Sequence, residues 1–245
     1  MGMSKTQIDE LIRVSADHDC NEANGVCVKL VAIADLPTRA GDFQVVAFHS
    51  PSDRKEHAAL VHGDVSGRER VPVRLHSECL TGDVFGSLRC DCREQLELSL
   101  NEISRMESGI ILYLRQEGRG IGFVNKIRAY QLQEEGLDTI QANEALGFRA
   151  DERDYAVAAH MLYSLDVRSI LLMSNNPTKI ADLRLHGVKV EGRIPLVIPP
   201  NPYNRRYLET KRLKAGHLLE SSAAIEVPEQ MDSAHTASTD ASSSK

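Results

Sequence analysis

The sequence predicts an α/β fold: a single domain with a mixed sheet and helices on both faces of that sheet. Two patterns in the 245-residue chain lead to this expectation. Between residues 26 and 77, short β-rich runs are separated by Gly, Pro, Asp and Ser, which is typical of antiparallel strands and hairpins. From residue 94 onward, helical and strand patterns alternate, which is typical of helices packed on a sheet.

The first block holds four candidate strands, expected to be antiparallel. They are the runs VCVKLVAIA, FQVVAF, AALVHG and VPVRLHS. Because this block is antiparallel and the second block alternates helix and strand, we expect the two to share a mixed sheet.

The second block places apolar residues at helical spacing ahead of apolar strands. The positions that define its helices are Leu96, Leu100 and Ile103; Phe123, Ile127 and Tyr130; Tyr155, Ala158, Ala159 and Leu162; and Ile180 and Leu183. Gly136 and Gly187 are expected to end the second and the last of them. The strands between and after these helices are GIILYL, SILLMS and VKVEGRIPLVI.

Composition divides the chain into three parts. Residues 1–24 are expected to be a poorly ordered extension, residues 25–219 the catalytic domain, and residues 220–245 a disordered, acidic tail rich in Ser and Ala. Of the net charge of −6, the two ends carry −3 and −4, which leaves the domain near +1. A near-neutral domain argues against nucleic-acid binding.

The chain also lacks the marks of a membrane or secreted protein. No run of about 18 apolar residues is present, and the N-terminal residues do not form a secretory signal. Three of the five cysteines lie within fourteen residues, which favours metal ligands in a reducing compartment over a disulfide framework. We therefore expect a cytoplasmic protein, with Cys20 and Cys27 as incidental thiols.

The cysteine cluster is the strongest chemical signal. Cys79, Cys90 and Cys92 have the spacing C-x10-C-x-C in HSECLTGDVFGSLRCDC, with no cysteine after them. Three thiolates leave one position of a zinc ion open to water, as in catalytic sites, whereas structural sites close all four. The pattern therefore predicts a zinc hydrolase. His76 stays open as a fourth ligand, which would make the site structural.

The loop between these cysteines has residues suited to a tight fold. Asp91 favours a turn between the last two cysteines. Gly82 and Gly86 allow the intervening loop to fold back. Just before the loop, strand alternation in VRLHSEC places Arg74, His76 and Glu78 on one face of a strand, and a polar face beside a metal site is expected to meet substrate or water.

Two strand-to-helix junctions indicate phosphate binding. RQEGRGIG (115–122) and SNNPTK (174–179) each follow an apolar strand and open a helix, where backbone amides and the helix dipole favour anions. Four cations between residues 115 and 128, namely Arg115, Arg119, Lys126 and Arg128, suit a small polyanion. Simpler alternatives stay open: a Gly-rich connection for the first junction and a helix start with Pro177 for the second.

Two further residues have simple structural interpretations. Asp151 in RADERDY could cap the following helix, with Asp154 three residues later. Tyr130 could be a core residue on its helix face.

Five blocks of this sequence resemble GTP cyclohydrolase II. They are RLHSECLTGDVFGSLRCDC, YLRQEGRGIGFVNKIRAYQLQEEGLDT, ANEALGFRADERDY, SNNPTK and NPYNRRYLETKRLKAGHLL, and the resemblance spans residues 28–219. It implies a homodimer that hydrolyses GTP to a diaminopyrimidinone ribosylamine 5′-phosphate, formate and pyrophosphate, the first committed step of riboflavin biosynthesis. The monofunctional form is expected, because the chain has no room for the upstream synthase domain of bifunctional relatives.

The resemblance also implies roles for individual residues. Cys79, Cys90 and Cys92 match the ligands of one Zn²⁺ per subunit, and Mg²⁺ is expected with the triphosphate. The positions that match GTP-contacting residues are Arg74, Leu75, His76, Ser77, Glu78, Gln95, Glu117, Gly118, Arg119, Thr139, Ser174 and Lys179. Tyr130 matches a catalytic tyrosine, Asp151 a proton acceptor and Arg153 a nucleophile.

The chain departs from the family pattern at three places. Ser174 stands where Thr is usual, Arg93 where Gly is common and Leu137 where Tyr is frequent. A nucleophilic role for Arg153 would require a neutral guanidine, although guanidinium has a pKa above about 12. Stabilising the α-phosphate during attack by water is the simpler role.

Two other function classes stay open. A zinc-dependent nucleotide deaminase also uses three protein ligands and a Glu, and His76-Ser77-Glu78 mimics its H-x-E motif, but its P-C-x-x-C half is replaced here by C-x-C. A non-catalytic zinc-knuckle nucleotide-binding module would hold zinc with four ligands.

Overall fold

The computed structural model describes residues 2–17, 26–51, 54–205 and 207–209. In these residues the chain forms a seven-stranded sheet with the order β1-β2-β3-β5-β4-β6-β7. The strands are β1 (Lys29–Pro37), β2 (Asp42–Ser50), β3 (Lys55–His62), β4 (Val71–Ser77), β5 (Gly109–Leu114), β6 (Ile170–Met173) and β7 (Val190–Ile194). The helices are α1 (Lys5–Asp17), α2 (Cys92–Ile103), α3 (Gly122–Glu134), α4 (Thr139–Ala145), α5 (Ala156–Ser164) and α6 (Pro177–Leu185).

The sheet is mixed, as the sequence predicted. Strands β1, β2 and β3 form an antiparallel meander, and β5 adds to β3 in the antiparallel sense. Strand β4 pairs in parallel with β5 and β6, and β6 pairs in parallel with β7. The expectation that β4 belongs to the antiparallel block is therefore wrong. Its neighbours come from later in the chain, and its residue pattern carried no information about them.

Helices cover both faces of the sheet, which confirms the predicted architecture. Alternate residues of β5 point to opposite sides, with Ile110 and Leu112 in the larger core and Ile111 in the smaller one. The larger core includes residues of α1, α5 and α6, whereas the smaller core includes the apolar residues of α2. The sheet is thus the middle layer between helices.

The N-terminal residues pack against the sheet. Met3 is buried, and the Ser15 hydroxyl on α1 accepts a 2.7 Å hydrogen bond from the Leu30 amide of β1. In the described part of residues 1–24, Met3 and α1 are thus in contact with the sheet, while the division of the chain into three parts stays a prediction. Cys27 is disulfide-bonded, so the interpretation of an incidental thiol there is wrong. Cys20 and the tail over residues 220–245 lie outside the described residues.

The helical predictions hold with two exceptions. On α3 the predicted apolar face is wrong, because Phe123 and Ile127 are exposed while Lys126 and Ala129 are buried. Helix α4 was missed, although its start has a sequence signal: the Asp138 carboxylate and the Gln141 side chain form a capping box. Among the helices that the structure describes, none has the length and apolarity to span a bilayer.

Candidate functional site

One cavity of about 750 Å³ opens at the carboxyl ends of the parallel strands. Its walls are the segments that follow β4, β5 and β6, together with helices α3 and α4. In open α/β sheets, ligands bind at this edge of the parallel strands. The topology therefore brings distant parts of the sequence together around one volume.

The cavity collects nearly all of the residues that the sequence predicted for the site. Those that line it are Arg74, His76, Ser77, Glu78, Cys79, Cys90, Cys92, Gln95, Glu117, Gly118, Arg119, Tyr130, Thr139, Asp151, Arg153, Ser174 and Lys179. Leu75 is the exception, because strand alternation turns its side chain into the larger hydrophobic core. Its carbonyl oxygen still takes part indirectly, by accepting a 2.9 Å hydrogen bond from Lys179 Nζ.

The three predicted metal ligands converge. The Sγ atoms of Cys79, Cys90 and Cys92 all lie within 4.8 Å of one another. A helical turn over Leu80–Val84 folds the loop back, and a Cβ atom at Gly82 would lie 2.8 Å from the Cys90 sulfur. Only glycine leaves room for the cluster at this position, and a set of three thiols fits zinc with one position open.

His76 does not join the thiol cluster. Its Nε2 lies 3.1 Å from both carboxylate oxygens of Asp83, which also accept hydrogen bonds from the Cys79 amide (3.0 Å) and the Tyr113 hydroxyl (2.7 Å). Burial lowers the pKa of His76 below its usual value and outweighs the hydrogen bond to Asp83. Burial thus favours the neutral imidazole, which the hydrogen bond to Asp83 orients; Asp83 is a residue that the sequence analysis missed.

Glu117 anchors the glycine-rich junction after β5. Its carboxylate accepts hydrogen bonds from the amides of Leu80 (2.6 Å) and Gly118 (2.8 Å) and from Lys126 Nζ (2.7 Å). The backbone turns through left-handed conformations at Gly118 and Arg119. The Gly118 amide already donates to Glu117. This junction therefore differs from a phosphate-binding loop in which all backbone amides can donate to the anion.

The basic stretch that the sequence singled out does not act as one surface. Arg119 and Lys126 line the cavity, whereas Arg115 pairs with Glu78 at 3.0 Å and Arg128 is exposed. The four side chains point in different directions, because two of them lie on the loop before α3 and two on different faces of α3. The cations that face the cavity come instead from several elements, including Arg74 on β4 and Arg153 before α5.

Asp151 and Arg153 form a close ion pair. The Arg153 guanidinium donates hydrogen bonds to both Asp151 carboxylate oxygens. Burial opposes the charge on each group, but their mutual hydrogen bonds and attraction prevail, so the pKa of Asp151 is lowered. With Tyr155 contributing as well, the pKa of Arg153 is raised. The interpretation of Asp151 as a helix cap is wrong, because Asp154 accepts the Ala156 amide at the start of α5.

A chain of hydrogen bonds links the cavity face of β4 to the cysteine loop. Arg74 donates to Gln95 at 2.5 Å, and Gln95 donates to Asp91, which lies between two of the cysteines, at 2.5 Å. Arg74 also donates to the Met173 carbonyl of β6 at 3.1 Å. Burial lowers the pKa of Arg74 to about 10, which still leaves it charged at neutral pH.

The junction after β6 combines a helix start with a cavity wall. Asn176 caps α6 by accepting the Thr178 amide at 3.0 Å, with Pro177 as the first helical residue. The Ser174 hydroxyl accepts the Asn176 amide at 3.1 Å, and Lys179 faces the cavity from the first turn. Both interpretations of SNNPTK therefore describe part of its geometry.

Two tyrosines complete the walls. Tyr130 lies on α3 with the Arg89 guanidinium 4.8 Å from its ring centroid, and burial raises the pKa of its hydroxyl. The charged groups of Arg153 and Lys179 lie 5.9 and 5.4 Å from the centroid of the Tyr155 ring, and burial raises the pKa of Tyr155 to about 12. The sequence placed Tyr155 only on a helix face, since its pattern matched the core.

Comparisons with known proteins point to one family. A family model described as GTP cyclohydrolase II matches residues 29–195. The chain is 51% identical over 191 residues to a protein of Picrophilus torridus named GTP cyclohydrolase-2, which covers 78% of this chain and 99% of that protein.

Longer relatives match as well. The chain is 55% identical over 184 residues to riboflavin biosynthesis protein RibBA of Bacillus mycoides, covering 75% of this chain and 46% of that protein. It is 52% identical over 202 residues to the RibBA protein of Salinispora arenicola, covering 82% and 48%. The chain thus spans about half the length of these RibBA relatives. The match to the family model over most of the chain, and to a relative over nearly its whole length, shows that this chain belongs to the GTP cyclohydrolase II family.

Proposed function

We propose that this chain hydrolyses GTP to 2,5-diamino-6-(5-phospho-D-ribosylamino)pyrimidin-4(3H)-one, formate and pyrophosphate, the first committed step of riboflavin biosynthesis. One observation carries the proposal. A single cavity is lined by three convergent thiols, the half-buried Tyr130 and cations from separate elements. Hydrolysis at a carbon of the guanine base requires the metal-binding thiols and a proton donor. The triphosphate at the other end of the nucleotide requires the cations.

Cys79, Cys90 and Cys92 would hold one Zn²⁺ per subunit. The donor set fits such an ion, and the lack of a Cβ atom at Gly82 leaves room for the three thiols to converge. When bound, zinc supplies a Lewis acid that makes water a nucleophile at neutral pH. The cavity around the thiols would determine which atom of the substrate lies beside them.

Tyr130 is assigned the proton transfers at the purine. Water adds at C8 of guanine, the bond between C8 and N9 breaks, and N9 takes up a proton. A second water hydrolyses the resulting formamide, which releases formate from N7. Because burial raises its pKa, the Tyr130 hydroxyl stays protonated at neutral pH and can donate to the departing nitrogen.

Arg153 is assigned the α-phosphate. Its pairing with Asp151 keeps it charged and fixed in the cavity wall, and a fixed cation stabilises the charge that develops when water cleaves the bond between the α- and β-phosphates. Arg119 and Lys179, together with the Mg²⁺ expected with the triphosphate, would offset the negative charge of the phosphates. A covalent role for Arg153 would need the neutral guanidine, which this pairing disfavours.

GTP is the proposed small-molecule partner, and we further expect a cytoplasmic homodimer that binds neither nucleic acid nor membrane. The support for the assembly is the family resemblance. Sedimentation equilibrium of the purified chain measures the stoichiometry directly, and a monomer at assay concentrations would contradict the homodimer.

The other two function classes have less support in this site. The thiols face a cavity, and in the described part of the chain no fourth His, Cys, Asp or Glu joins their cluster, which argues against a closed zinc knuckle. Glu78, the counterpart of a deaminase glutamate, is paired with Arg115 at 3.0 Å. Deamination of GTP would release ammonia, whereas the proposed reaction releases formate.

The test is an assay of purified protein with GTP, Zn²⁺ and Mg²⁺ for formate, pyrophosphate and ammonia. We expect formate and pyrophosphate from the native chain. Cys90→Ser is expected to lose formate release by more than the ~100-fold that altering an outer-shell residue typically costs, because a ligand itself is lost. Ammonia as the product, or formate release by metal-stripped protein, would refute the proposal.

A further inference from the structure

Lys126 occupies a position that the phosphate-binding interpretation does not explain. It lies on the buried face of α3, with its side chain 10% exposed. Its Nζ is 3.1 Å from the Cys79 sulfur and 2.7 Å from the Glu117 carboxylate. The ammonium is therefore directed at a predicted metal ligand, and its contacts leave little of it for a triphosphate.

The contacts of Glu117 fix Lys126 in place. A buried ammonium is costly unless it is paired and hydrogen-bonded. Glu117 supplies the pairing, and its carboxylate is itself held by the amides of Leu80 and Gly118. Since Leu80 directly follows Cys79, one carboxylate orients both the lysine and the backbone beside the sulfur.

The net charge of the proposed metal site explains why a cation would contact the Cys79 sulfur. Three thiolates around one Zn²⁺ carry a net charge of −1, and the substrate brings a triphosphate into the same cavity. A cation hydrogen-bonded to one thiolate offsets that charge, and partners of metal ligands orient them and tune the metal.

We propose that Lys126 is a positioning residue of the metal centre, which holds the Cys79 sulfur by a charged hydrogen bond and stabilises the metal-loaded cluster. This inference rests on the proposed zinc site. In this proposal Glu117 acts indirectly: it orients Lys126 by a hydrogen bond and does not contact GTP.

Lys126 also lies near Tyr130, the proposed proton donor. Its Nζ is 5.9 Å from the centroid of the Tyr130 ring, one turn further along α3. The same helix therefore carries the cation that holds a metal ligand and the hydroxyl assigned to proton transfer.

The experiment measures zinc affinity by competition with a chromophoric chelator. Lys126→Met keeps the length of the side chain and removes its charge, and Lys126→Gln keeps a donor toward Glu117 if the methionine variant does not fold. Both are expected to bind zinc about 10- to 100-fold more weakly than the native chain. Lys126→Arg retains the charge and is expected to restore most of the affinity.

Arg128→Met is the matched control, because it removes a cation from an exposed position of the same helix. It is expected to leave zinc affinity unchanged. In the cobalt-substituted protein, the thiolate-to-metal absorption band should shift in the neutral Lys126 variants and stay in place in the control.

Native zinc affinity in either folded neutral variant, or an equal loss in Arg128→Met, would overturn the role of Lys126. These outcomes are distinct from failure of the proposed function, in which the native chain itself would bind no zinc or release no formate.

Discussion

The antiparallel and the parallel halves of the sheet differ in their relation to the cavity. Strands β1, β2 and β3 form a meander with short connections, and every residue assigned to the site comes after them in the chain. Strands β5, β4, β6 and β7 contain the parallel pairings, and the cavity lies at their carboxyl ends. One sheet thus combines a framework half and a site half.

The connections explain the division. Antiparallel neighbours can be joined by a tight turn, whereas parallel neighbours need a long crossover. The crossover from β4 to β5 spans residues 78–108 and carries the three cysteines. The stretch from β5 to β6, residues 115–169, carries Glu117, Tyr130 and Arg153. The long connections that parallel pairing demands thus carry the candidate metal ligands and three of the candidate site residues.

The largest loss of activity is expected for substitution of Arg153, which lies on the connection from β5 to β6. Arg153→Ala is expected to lower pyrophosphate release about 10²- to 10³-fold, because a fixed charge at the α-phosphate is lost. Arg149→Ala is the control, since Arg149 is an exposed cation of the same loop, paired with Glu152. Rates from quenched single-turnover reactions measure both. Full release by Arg153→Lys would argue against a covalent intermediate, and full release by Arg153→Ala against any role at phosphorus.

A smaller effect is expected for Tyr130→Phe. Loss of the proton donor should slow formate release about 10²-fold while GTP affinity, measured by calorimetry, stays within a few-fold. Tyr163→Phe on α5 makes the same change at a half-exposed tyrosine and should change neither quantity. Formate release at the native rate by Tyr130→Phe would refute the assignment.

The glycine beneath the thiols should show a more modest effect. Gly82→Ala places a Cβ atom 2.8 Å from the Cys90 sulfur, so the cluster must shift and zinc affinity is expected to fall about tenfold. Gly86→Ala lies in the same loop, where the added atom meets only the tip of Arg93. Its left-handed backbone should cost about 1–2 kcal/mol of stability with zinc affinity retained. Equal zinc affinities for the two variants would contradict the steric argument.

The smallest effect on activity is expected in the framework half. Val46 on β2 and Val73 on β4 are both fully buried in the larger core. Alanine at either should lower the free energy of unfolding by roughly 2 kcal/mol, measured with urea. Val46→Ala should leave kcat and KM unchanged below the unfolding transition, whereas Val73→Ala, beside Arg74, should raise KM. An equal rise in KM for Val46→Ala would break the division into two halves.

Local patterns in the sequence carried most of the fold and much of the site. Alternation along β4 separated Val73 and Leu75 from Arg74 and His76, because side-chain direction in a strand depends only on position. Cysteine spacing predicted the thiol cluster for a similar reason, since a short loop limits where its ends can lie.

The sequence failed where partners come from distant segments. Nothing near β4 indicates that β5 lies between it and β3, so the direction of pairing was missed. Lys126 was grouped with the cations expected to bind a polyanion, because the predicted face of α3 was rotated away from the observed one. Asp83 gave no signal in the chain, since its importance comes from three groups that converge on it in space.

The place of β5 in the sheet also sets the order in which the protein can be assembled during synthesis. Translation delivers β3 and β4 well before β5, yet β5 is the strand that fills the gap between them. Until residue 114 has left the ribosome, the nascent chain displays one open edge on β3 and two on β4. Unpaired edges attract other chains, so chaperone protection matters most in that interval. Pairing of β5 with β3 and β4 then leaves β4 one open edge, which β6 covers later.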